Sequence, residues 1–185
     1  MEPHDILLDL FESYAALLRR AIQDLPREAL VWQPDPQANN IAVTAWHMAR
    51  SLDLLTVRLL GGRPAEEELW LRAGWAARTG YDPRGLGRGG FGNLTGYTPE
   101  EVAAVPVLSA GELLAYFEQA RAAFGAYLPT MSEERLDGPV LSVPVTPPLS
   151  AYDIIRSFLA DGLAHAGEIR AIRAMWERTR PASAP

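Results

Sequence analysis

Cysteine is absent from the 185 residues. That excludes disulfides, thiolate metal ligands, iron–sulfur clusters and a cysteine nucleophile together. Histidine is scarce: the 3 copies are His4, His47 and His165, so any imidazole chemistry draws on these. Basic residues are in the minority, 17 Lys+Arg against 23 Asp+Glu, for a formal charge of -6. An acidic chain without a basic recognition helix disfavours nucleic acid as a partner. Long apolar runs are missing too. Charges break every hydrophobic stretch well below spanning length, which argues against a membrane partner. The start, Met1 to Asp5, is not the basic opening of a signal peptide, and the chain reads as cytoplasmic.

What is present is ordinary globular material, 48% hydrophobic and 22% charged. The length predicts one domain over residues 1–185, with an ordered core over about 5–179. Ile6, Leu10, Tyr14, Leu17, Leu18 and Ile22 recur at three- and four-residue steps, predicting an amphipathic helix over 6–25. Asp5 can cap it, and Pro26 lies past its end. Asn39 or Asn40 opens a second amphipathic helix, which runs to about Leu60 and is stopped by Gly61-Gly62. A short helix is expected over 64–77. The stretch 79–106 is long for a bundle loop and reads as a crossover passing over one end of a bundle. Its glycine-dense part, 85–92, lacks the features of a phosphate loop and reads as a solvent-exposed loop or a flexible rim over a site.

Ser109 and Glu112 carry a capping-box signature for a third long helix, to Leu128. The proline-rich run 140–149 reads as a loop with a short edge strand at most, and Ser150 or Ala151 starts a fourth helix to about Arg178. Residues past it form a frayed tail. Four long helices without convincing strands predict an all-α four-helix bundle with a long crossover between helices two and three. Gly162 and Gly167 inside helix four each cost about 1 kcal/mol against Ala; close helix packing or space for a ligand would offset that. The tryptophans Trp32, Trp46, Trp70, Trp75 and Trp176 suit core packing or a pocket wall.

Asp161 and His165 stand four apart in helix four and share one face. Their side chains can converge on an ion, with His47 completing the set from a facing helix. Imidazole and carboxylate donors suit Zn, Ni, Fe or Mn. Three protein ligands leave a position open for water or substrate. Glu168, three residues after His165, is the nearest candidate catalytic base, and it could also ligate or orient His165. The alternative is a buried Asp161–His165 pair with no ion, and His47 as a core histidine. His4, near the terminus, carries little functional weight.

Three segments carry a resemblance. They are the run from Asn40 to Arg50 (NIAVTAWHMAR), the run from Leu108 to Phe117 (LSAGELLAYF) and the run from Asp161 to Arg170 (DGLAHAGEIR). Together they resemble the DinB/YfiT-like superfamily of metalloenzymes, from Leu7 to about Met175. The resemblance implies an antiparallel-type four-helix bundle, often homodimeric, with a divalent metal held by three histidines in a cleft. His47 falls on the first ligand position and His165 on the last. Asp161 stands where the middle histidine is usual, and Glu168 where a glutamine is usual. Characterised relatives include thiol-dependent transferases, so the expected activity is metal-dependent transfer or hydrolysis of a small molecule with a low-molecular-weight thiol as cosubstrate. The other reading is a non-catalytic bundle that binds a small molecule or partner and has lost the metal chemistry.

Overall fold

A computed structural model describes residues 3–141 and 147–180. Among these, the helices are α1 (Pro3–Ile22), α2 (Arg27–Val31), α3 (Ile41–Leu54), α4 (Leu69–Arg72), α5 (Trp75–Thr79), α6 (Pro99–Ala103), α7 (Ala110–Tyr127), α8 (Glu133–Asp137) and α9 (Ala151–Thr179). The four long ones close a ring: α1 packs on α9, α9 on α3, α3 on α7, and α7 on α1. The fold is the expected all-α bundle with a long crossover between its second and third long helices.

Local chemistry sets the boundaries. Asn40 is the N-cap of α3, its side chain accepting from the Val43 N–H at 2.9 Å. Ser109 and Ser150 form full capping boxes at α7 and α9, with Glu112 and Asp153. A wider π-type stretch, Leu55–Leu60, prolongs α3. It ends where Gly62 turns left-handed at φ +61° and the Arg63 N–H reaches back to the Val57 carbonyl.

Several expectations are corrected. The first helix is described from Pro3, which puts Asp5 inside its first turn, where a carboxylate favours the helix dipole. The sequence from Leu30 to Asn39 reads as a turn-rich connector, but its first two residues close a short helix, α2. The helix expected over 64–77 is broken by extended backbone at Glu68 and by Gly74 at φ +80° into separate turns. In the run 140–149 only the flanks are described. Pro139 and Ser150 pair as an isolated antiparallel bridge, and 142–146, like the tail 181–185, lie outside the described residues.

The second helix is not amphipathic in place. Every residue of Ile41–Leu54 is buried. The crossover does not merely pass one end of the bundle; it lies along the face of α3 that α7 and α9 leave open. Polar groups on that face therefore need partners inside the protein. Arg50 donates to Glu68 at 2.6 Å. Asp53 accepts from the Leu69 and Trp70 backbone N–H groups and from the Tyr116 hydroxyl, each at 2.9 Å. Burial pushes the Glu68 carboxyl up, against the pull of Arg50.

The tryptophans serve this packing. Trp46 meets Trp70 edge to face at 5.7 Å, and Trp70 lies 5.0 Å from Tyr116. Across the bundle, Phe11 meets Phe124 and Tyr14 meets Phe117. Gly162 has a packing reason: a Cβ there would fall 2.9 Å from the Tyr14 ring. Gly167 has open space around it.

Candidate metal centre

α3 points His47 toward α9, and α9 answers with Asp161 and His165 on successive turns. The His47 and His165 rings meet edge to face with centroids 4.9 Å apart. His47 Nε2 lies 3.5 Å from Asp161 Oδ2, and His165 Nε2 lies 3.5 Å from Asp161 Oδ1. The three candidate ligand atoms all fall within 4.8 Å of one another. Donors about 2.0–2.2 Å from a tetrahedral ion stand about 3.3–3.6 Å apart, so the two spacings to Asp161 match those around a small divalent cation. His47, Asp161 and His165 thus form a cluster capable of coordinating a metal ion. His4 takes no part in it.

Each imidazole is oriented through its other nitrogen. His165 Nδ1 is 2.7 Å from Glu168 Oε2, a bond between residues three apart on α9. His47 Nδ1 donates to the main-chain carbonyl of Asn93. Ser51, one turn along α3, places its hydroxyl 3.3 Å from the same nitrogen, and accepts from the Asn93 amide at 3.2 Å. A carbonyl can only accept, so Nδ1 of His47 carries a proton. In the neutral ring the lone pair then sits on Nε2, facing Asp161 and His165. This is the arrangement in which metal-binding histidines are held.

The charges agree with the geometry. The Glu168 hydrogen bond, and then the Asp161 charge, raise His165 above the usual histidine range, against the opposing effect of burial. The adjacent His47 ring, and then the field of His165, hold the Asp161 carboxyl below its usual range. Nine-tenths of the His47 side chain is buried, whereas 57% of the Asp161 side chain is exposed. The centre is open on the acid's side.

That opening is a cavity of ≈ 270 Å³ lined by His47, Ser51, Asn93, Thr95, Phe158 and Asp161, among others. Behind Phe158 lies a narrow apolar recess of ≈ 20 Å³ between Phe11, Tyr14, Leu52 and Phe124. Burial, and then the Asp161 charge, push the Tyr14 phenol well up, so it stays protonated beside the recess.

Ser51 and Asn93 escaped the sequence reading. The glycine-dense stretch 85–92 does not itself line the cavity; Asn93, just past it, reaches His47, and its contact is a backbone carbonyl, which every residue possesses. The visible signal was the glycines. Gly92 sits at φ +64° with the Pro83 carbonyl oxygen in the space a Cβ would need. Leu94 is held at φ +85°, a strained conformation costing about 1–3 kcal/mol for a residue with a side chain.

Fold and side chains together define a four-helix bundle with a two-histidine, one-carboxylate cluster between its second and fourth long helices. Residues 10–169 match the DinB superfamily, and the chain belongs to that superfamily. The fold is shared with a crystal structure described as a conserved protein of a locus from Enterococcus faecalis. The two are 22% identical with a TM-score of 0.79, covering 95% of this chain and 97% of that one. No curated protein is significantly similar to the chain.

Proposed function

We propose that the protein is a divalent-metal enzyme of the DinB type, with His47, Asp161 and His165 as ligands. The observation that carries this is the pair of oriented imidazoles, each with Nδ1 engaged and Nε2 turned toward one carboxylate. A bound ion would supply Lewis acidity, lowering the pKa of a water or a small thiol in its open position.

The protein's own groups define the rest. Asp161 presents its exposed carboxylate to the cavity. Glu168 orients His165 through Oε2. As the nearest acid outside the ligand set it is also our candidate proton acceptor, the role that Glu168→Gln would remove. Since the chain has no cysteine, a reacting thiol must arrive as cosubstrate. The cavity above the ligands is of small-molecule size, which supports transfer or hydrolysis of a small group.

Cobalt substitution tests this reading. Co(II)-loaded protein should show a visible spectrum that shifts when a small thiol such as 2-mercaptoethanol is added. A Co(II) spectrum indifferent to thiols would remove the cosubstrate from the proposal.

We also propose a homodimer. Ile6, Leu10, Tyr152 and Leu163 are exposed and line one apolar groove between α1 and α9. A second copy would cover them. Sedimentation should return twice the chain mass, and a monomer at high concentration would refute it. Among the described residues no helix is long and apolar enough to cross a membrane.

A further inference from the structure

The segment between α5 and α6 crosses α3 at His47. It is held there at some cost. Asn93 is 6% exposed, and its amide oxygen is buried with no hydrogen-bond partner among the described residues. The next residue, Leu94, has a left-handed backbone without being glycine. Both features favour an open loop, in which water would reach the amide and Leu94 could relax. Against them stand the His47 Nδ1–H bond to the Asn93 carbonyl and the Asn93 amide bond to Ser51.

We propose that Asn93 is a positioning residue of the metal centre, and that closure of this loop and ion binding are coupled through His47. The inference rests on the metal reading above. With the loop closed, the Asn93 carbonyl selects the His47 tautomer that has its lone pair on Nε2. An ion on Nε2 withdraws electron density from the ring and makes Nδ1–H a stronger donor to that carbonyl. By linkage, whatever factor the closed loop adds to ion affinity, the ion adds to loop closure. Ser51 belongs to the same device: it accepts from the Asn93 amide and stands beside His47 Nδ1. The main-chain contact cannot be deleted by substitution, but its side-chain anchor can.

The test uses the full chain at pH 8. Imidazole 15N spectra of the metal-free protein should give His47 as the Nδ1–H tautomer. In Asn93→Ala and in Ser51→Ala the Nε2–H form should appear at His47, while His165, held by Glu168, keeps its own signals and reports an intact fold. Zinc affinity should fall about 10–100-fold in both variants. Hydrogen exchange at residues 92–95 should slow on zinc addition in the wild type and not in His47→Ala. Wild-type zinc affinity with an unchanged His47 tautomer in both variants would overturn this inference and leave the metal reading standing. Loop exchange indifferent to bound zinc would do the same. A wild type that takes up no zinc would overturn both.

Discussion

At the scale of residues, the centre is two imidazoles whose protons are assigned by their neighbours. His165 gives the clearest pH dependence. Its folded-state pKa is raised, first by the Glu168 hydrogen bond and then by Asp161. In the metal-free protein the resulting stability is full below about pH 6.5, the unfolded value, and is lost as pH rises through the raised folded value. Asp161 works in the other direction: its pKa is lowered, so its contribution holds above the ordinary aspartate range and is lost only as pH falls through the lowered value. Glu168→Gln should therefore cost stability at pH 5.5 and little at pH 8.5, read as the urea midpoint of metal-free protein. A difference that does not vary with pH would refute the assignment. The cluster was legible in the sequence because Asp161 and His165 sit one helical turn apart and His47 lies in a segment that resembles the same family. Asn93 and Ser51 were not, since their contacts depend on where a loop's backbone lands.

At the scale of elements, α9 carries both cluster residues and packing, and its two glycines differ in what surrounds them. Gly162 admits the Tyr14 ring, so Gly162→Ala pushes a Cβ into it and should destabilise by about 1–3 kcal/mol. Gly167 faces open space in the same helix, so Gly167→Ala should stabilise by up to about 1 kcal/mol. Thermal unfolding of the two variants checks both signs, and equal effects would contradict the packing account. Sequence spacing located all four long helices, because their apolar stripes and caps are local signals. It did not reveal that α3 is buried on every side. Arg50 and Asp53 are charges within that buried helix, and the crossover, through Glu68 and the backbone of α4, makes their burial tolerable. The break at Gly74 was also hidden, since a glycine inside a helical pattern can be either tolerated or turned.

At the scale of the whole molecule, the crossover and the cluster act on the same helix from two sides. The crossover covers α3 and delivers Asn93 to His47; the cluster joins α3 to α9. An ion held by His47, Asp161 and His165 would therefore fasten the second long helix to the fourth and stabilise the folded chain by mass action, by about 2.7 kcal/mol at a hundredfold excess over its dissociation constant. The central claim is the ion itself. Elemental analysis of protein incubated with zinc and then freed of excess by gel filtration tests it most directly. The wild type should hold a single ion per chain, and both His47→Ala and His165→Ala should lose it. A metal-free wild type, or the same metal content in all three proteins, would contradict it.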